Sequence, residues 1–149
     1  MFVFMSTRKG FTLIELIVVT AIVLVIVGAV VPVGISFYRS QVVDETAHDV
    51  LAVLRRAQML ATLQKNDSPF GVAILADRFV LFQGASYAAR VQSEDTETFL
   101  SSIVALSGAS EIVFSKMAGE TATPGAITIS SGNDSITLYV ASIGKIEIQ

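Results

Sequence analysis

The chain has no cysteine among its 149 residues and a single histidine, His48. No disulfide can staple it, so whatever folds must be held by a packed core. One histidine without cysteine offers no converging ligand set for a metal ion. It also leaves no histidine that a carboxylate would orient for serine nucleophilic catalysis. A Gly-rich lysine motif of the kind that cradles phosphate does not occur. Charge is sparse, at 15% of residues, with 10 basic and 13 acidic side chains. Such a chain is a poor general binder of nucleic acid, because phosphate contacts rest on Lys and Arg. Prolines number only three, and Pro32, Pro69 and Pro124 each fall where regular structure should bend or stop. There is no repeat at a solenoid period and no low-complexity tail. No catalytic residue, cofactor or metal ligand is nominated.

What the chain has instead is a long apolar run. From Phe11 to Val31, about 21 residues, Glu15 is the only charge. At roughly 1.5 Å per residue this covers the ~30 Å hydrocarbon core of a bilayer. Nine Ile and Val residues between Ile14 and Val27 would ordinarily lower helix propensity. In lipid only a helix satisfies every backbone group within the segment, so a helix is predicted all the same. Arg8 and Lys9 precede the run and favour a cytoplasmic N-terminus. Two other readings compete: a buried helix of a soluble core, and a secretory signal peptide cut near Gly28-Ala29 or Gly34. The run is long for either. It also continues past Pro32 into an amphipathic pattern. Glu15 is the residue that most needs explaining, because a carboxylate at that depth costs several kcal/mol unless it finds a partner. Snorkelling toward the head groups is its bland alternative.

The segment Lys9-Gly10-Phe11-Thr12-Leu13-Ile14-Glu15-Leu16 resembles the processing motif of type IV prepilins and type II secretion pseudopilins. The resemblance implies a leader ending at Gly10, cleavage between Gly10 and Phe11 by a prepilin peptidase/methyltransferase, and N-methylation of Phe11. It implies that Glu15 pairs with the N-terminal amine of a neighbouring subunit during assembly, and that Pro32 is a helix kink. Met5 to Gly10 is a typical short leader, and Met1 and Met5 both remain as starts. Losing the leader removes Arg8 and Lys9, leaving eight basic side chains against 13 acidic, a charge of about −5. Mean hydropathy of the whole chain is +0.67, and the first third accounts for it.

Beyond Pro32, apolar or small residues recur at Val43, Ala47, Val50, Leu51, Leu54, Ala57 and Ala61, one stripe of an amphipathic helix. Asp44, Glu45, His48, Asp49, Arg55, Arg56 and Gln58 lie between them. Asn66-Asp67-Ser68-Pro69 is a stop signal. A helix from Phe11 to about Gln64 would be on the order of 80 Å long. The remainder reads as strands. Phe70–Leu75 and Phe79–Gln83 suggest a hairpin around Ala76-Asp77-Arg78. Ile112–Phe114, Ala126–Ile129, Ile136–Val140 and Lys145–Ile148 follow. Residues 84–98 read as a polar surface loop, and 99–106 could be strand or loop. About 85 residues beyond the helix suffice for one small core.

The β-rich half resembles the H-type (GspH-like) minor pseudopilins of general secretion and FimT-like minor pilins. The likeness rests on Phe70-Gly71-Val72, the strand to Gln83, Ile112-Val113-Phe114, Gly119, Ile127-Thr128-Ile129 and Gly144–Ile148. The chain departs from many type IVa pilins in having no cysteine pair, and from major pseudopilins in having no acidic calcium cluster. Both departures imply a minor subunit.

His48 sits one turn after Asp44 and Glu45, which predicts a side-chain pairing along the helix rather than a metal site. Gly132-Asn133-Asp134 reads as a turn rather than a cation loop, since calcium takes six to eight oxygens. Arg39, Arg55, Arg56 and Lys65 form the only basic concentration. It reads as a solvated face, with DNA contact as the sharper alternative.

The expected fold class is α+β, pilin-like. A long N-terminal helix, transmembrane and then amphipathic, packs on a small antiparallel β-sheet domain. The divisions are a leader at 1–10, a transmembrane half at 11–32, an amphipathic half at 33–65 and an extracytoplasmic β domain at 66–149. The expected partners are the prepilin peptidase, other pilin or pseudopilin subunits, the inner-membrane assembly platform and the lipid bilayer, and nucleic acid is not among them. Three functions compete: a minor pseudopilin of type II secretion, a minor pilin of a type IV or competence pilus, and a tethered β domain that never polymerises.

Overall fold

The computed structural model describes residues 10–149, apart from the side chains of residues 31–33. The expected leader, with Arg8 and Lys9, lies outside the described residues, as does the Pro32 side chain, on which the expected bend rests. One α-helix, α1 (Leu13–Thr62), is followed by eight strands. These are β1 (Phe70–Ile74), β2 (Arg78–Gln83), β3 (Thr96–Phe99), β4 (Ala105–Gly108), β5 (Glu111–Phe114), β6 (Gly125–Ser131), β7 (Asp134–Val140) and β8 (Ile146–Ile148). The chain divides into two compact units, up to Phe37 and from Tyr38 onward.

In the second unit the expected helical stripe is the buried stripe. Val43, Ala47, Val50, Leu51, Leu54, Ala57 and Ala61 are all buried, whereas Asp44, Glu45, His48, Asp49, Arg55 and Arg56 are exposed. Thr46 is also buried; its hydroxyl donates to the Val42 carbonyl at 2.8 Å, which removes the cost of an unpaired oxygen. The helix ends at Thr62, two residues short of the expected Gln64. Gln64, Asn66 and Asp67 then adopt left-handed φ values of 52°, 55° and 50°. A short 3-10 turn (Lys65–Asp67) carries the chain toward β1. Polar ties secure this exit: Asn66 donates to Gln83 at 2.8 Å, and Lys116 pairs with Asp67 at 2.9 Å.

The strands form two four-stranded sheets, in the orders β3-β2-β1-β5 and β4-β6-β7-β8. Every pairing is antiparallel. The expected hairpin is present, with Phe70 opposite Gln83 and Ile74 opposite Phe79. The polar stretch 84–98 is not wholly loop. Its last residues enter β3, where Thr96 and Thr98 pair with Leu81 and Phe79. Backbone pairing there outweighs a composition that carries no apolar alternation. The ambiguous stretch after Phe99 resolves into a turn and the start of β4. The β6–β7 connection is a two-residue turn, with Ser131 opposite Asp134. Gly132 has φ of 64° and Asn133 does not have positive φ, as a type II′ hairpin turn requires.

One core joins the helix stripe to the inward faces of both sheets. Phe70, Val72, Phe79, Leu81, Ile112 and Phe114 come from the first sheet, and Ile127, Ile129, Leu138 and Val140 from the second. Period-two alternation delivers these residues: in β6, Ile127 and Ile129 are buried while Ala126 and Thr128 are only half-buried. The first sheet is buried on its other face as well. Ala73, Val80 and Phe82 form a smaller cluster there, capped by Leu75, Tyr87 and Val113. That double burial is why β1 and β2 read as unbroken apolar runs.

Candidate assembly site

The start of α1 is built by a reciprocal cap. The Thr12 hydroxyl accepts the Glu15 N–H at 3.3 Å, and the Glu15 carboxylate accepts the Thr12 N–H at 3.5 Å. This is a capping box, Thr-x-x-Glu, which satisfies two of the N–H groups a helix start leaves open. The carboxylate also lies in the first turn, where the helix dipole favours negative charge. Gly10, Phe11 and Glu15 are all exposed, Phe11 by 88%. The cap is legible in the spacing of Thr12 and Glu15, although the apolar run makes the carboxylate alone stand out.

Downstream of the cap the helix is apolar on every side. Leu13, Ile14, Leu16 and Ile17 are exposed, and so are Val18, Val19, Ile22, Val23 and the residues that follow to Val30. Its most apolar 18-residue window is long enough to cross a membrane, and none of it is buried. A helix hydrophobic all round is a membrane span or a buried packing element. Thr20, the one hydroxyl in the run after the cap, donates back to the Ile17 carbonyl at 2.9 Å. That hydroxyl is therefore satisfied within its own helix.

In the second unit the helix is locked to the connections between strands by Gln58. Its amide donates to the carbonyls of Gly119 at 3.0 Å and Gly144 at 2.9 Å, residues 61 and 86 positions away. Gly144 has φ of 80°, and a Cβ there would run into the Gly119 carbonyl oxygen. Nothing local to Gln58 signals this role, because both partners are distant in sequence.

The other singled-out residues fall apart rather than together. No ion pair to His48 exists among the described residues, although Asp44 and Glu45 share its exposed helix surface. Arg39 lies against the Gly132 turn, and Lys65 pairs with Glu94 at 3.5 Å. Arg55 and Arg56 are exposed. Among the described residues no group of three or more His, Cys, Asp or Glu could hold a metal ion.

The loop after β2 holds a polar cluster that has no signal in the sequence beyond a polar stretch. Arg90 stacks on the Tyr87 ring at 3.9 Å and donates to the Tyr87 carbonyl at 2.8 Å. Its Nε donates to Asp95 at 2.7 Å, and this hydrogen bond pushes the Arg90 guanidinium above its usual range. Tyr87 meets Phe82 edge-on at 5.7 Å, so the loop covers the outward face of the first sheet.

Residues 5–31 match the family model described as the prokaryotic N-terminal methylation motif. That motif opens a chain of one long N-terminal helix followed by antiparallel sheets. The fold is similar to that of the minor pseudopilin EpsH from the type 2 secretion system of Vibrio cholerae. One EpsH structure matches with a TM-score of 0.57 at 16% identity, over 72% of this chain and 95% of that one. A second crystal structure of EpsH matches with a TM-score of 0.57 at 14% identity, over 73% and 94%. No curated protein sequence matches the chain.

Proposed function

We propose that the chain is a minor pseudopilin, a structural subunit of a type II secretion pseudopilus. The leader is cut between Gly10 and Phe11 by a prepilin peptidase, and the new Phe11 amine is methylated. Residues 11–32 then hold the subunit in the cytoplasmic membrane, with residues 66–149 outside and the amphipathic residues 33–65 between. The protein works by entering a filament of similar helices, with the assembly platform as its membrane partner, and not by turnover. The observation that carries this reading is the conjunction of the methylation motif at residues 5–31 with a fold similar to EpsH.

Glu15 is the working residue of this proposal. While the subunit waits in lipid, the Thr12 cap gives the carboxylate a partner within its own chain. A cap of this kind contributes only about 1 kcal/mol. The ammonium group of a neighbouring Phe11 is the stronger partner, because pairing two buried charges removes two penalties at once. Stranding one of them costs roughly 3–5 kcal/mol. Exchange of the weak internal cap for the strong external pair drives each subunit into register, and Pro32 supplies the bend the packed helix needs.

Intact-mass and N-terminal analysis of the membrane-extracted protein tests the processing step. A start at methylated Phe11 is expected. A start near Ala29 means ordinary secretion instead and removes the proposal.

A further inference from the structure

On the outward face of the first sheet, Ile74 and Leu75 at the end of β1, Ser110–Glu111 at the start of β5, and Tyr87–Ala88 of the covering loop surround an open cavity of about 290 Å³. This lies just below the range of roughly 300–1,000 Å³ typical of small-molecule pockets, which suits one inserted side chain. Its walls are mainly apolar, and its one charge is Glu111.

The placement of Glu111 follows from register. It pairs with Ala73, whose other neighbour is Val80, so all three project onto the outward face. One carboxylate oxygen accepts the Tyr87 N–H at 2.8 Å. Among the described residues no cation pairs with Glu111, although it is half-buried. The wall opposite is held in advance. Tyr87 is clamped between the Phe82 edge and the Arg90 guanidinium, and Arg90 is itself tied to Asp95. A pre-ordered wall spares a ligand the entropy of ordering it.

We infer that this cavity receives a lysine side chain presented by a partner protein. Apolar walls take the hydrocarbon stem and leave the ammonium at the rim, the usual split of such side chains. Glu111 supplies the counter-charge. The choice of lysine over arginine rests on the carboxylate. The Tyr87 N–H takes one oxygen and leaves the other as the open acceptor, which matches the single-point bond of a compact ammonium better than the side-by-side fork of a guanidinium. The inference stands apart from filament assembly, because a chain that never polymerised would still carry the cavity.

The test is an NMR titration of the full chain in detergent micelles with the peptide acetyl-Gly-Lys-Gly-amide, followed at the Tyr87 amide. The norleucine peptide of equal length, and cadaverine as a free amine, serve as comparisons. A saturating shift is expected, with the lysine peptide binding about fivefold more tightly than the norleucine peptide, the scale of one exposed ion pair. Glu111→Gln keeps an acceptor for the Tyr87 N–H and should make the two peptides equal. Ala88→Trp, at an exposed position, should fill the cavity mouth and abolish both. Equal binding of the two peptides to the unaltered chain overturns the inference, as does the absence of any saturating shift. A lysine preference that survives Glu111→Gln overturns it too. Cadaverine binding as tightly as the peptide would mean a small amine is the occupant, and the partner-protein reading would fall.

Discussion

Helix α1 has two halves that solve opposite problems. Up to Phe37 it is apolar on all sides and buries nothing within the described chain. From Tyr38 onward the same helix carries one apolar stripe, and that stripe is buried under two sheets. The difference lies in the distribution of apolar residues and not in helix propensity. A stripe can be satisfied by one's own chain, whereas an apolar cylinder needs lipid or other helices around it. The first half therefore depends on surroundings that the chain does not provide, and the second half is self-sufficient.

Substitutions can break this division of labour from either side. The largest effect is expected at Glu15, where Glu15→Val should lower incorporation into filaments by roughly 150-fold or more, the scale of one stranded buried charge at about 3–5 kcal/mol. Thermal unfolding of the β-rich unit should not change. Co-purification with assembled fibres, together with a melting curve, reads both halves at once. Fibre growth unaffected by the substitution would remove the pairing role.

Leu54→Ala should do the reverse. Leu54 is fully buried in the shared core, so truncation should cost about 2–5 kcal/mol of stability, measured by denaturant unfolding. Membrane insertion and leader cleavage should persist. If unfolding is unchanged, the stripe is not the seam between helix and sheets.

A smaller effect is expected for Gln58→Ala, which leaves the Gly119 and Gly144 carbonyls without their amide donor. The loss should be about 1–3 kcal/mol. Hydrogen exchange should rise at the β5–β6 and β7–β8 connections before the strands respond, because Gln58 ties those connections and not the core.

Legibility followed the range of the interactions. The helix stripe was readable because its period is local, and all seven of its apolar positions are buried. β1, β2 and β5–β8 were readable for the same reason, to within a residue or two at their ends. β3 was not, because Thr96–Phe99 gains its conformation from pairing with β2 and not from its own composition. The split into two sheets was equally hidden, since strand order is a matter of partners. Of the assembly site, Glu15 stood out as a charge in an apolar run, while its cap on Thr12 was present in the spacing and passed over. The Tyr87–Arg90–Asp95 cluster had no signal above a polar loop.

The sequence by itself determined an apolar N-terminal helix with one carboxylate near its start, an amphipathic continuation and a set of short strands. Each rests on a pattern within a few residues along the chain. Only the tertiary structure decided that the strands divide between two sheets around one core, that Gln58 fastens the helix to two distant glycine carbonyls, and that Glu111 faces a cavity walled by Tyr87. The hydrogen bonds of Gln58 and Glu111 join residues from 24 to 86 positions apart, and their free energy appears only once packing has excluded water from the space between them.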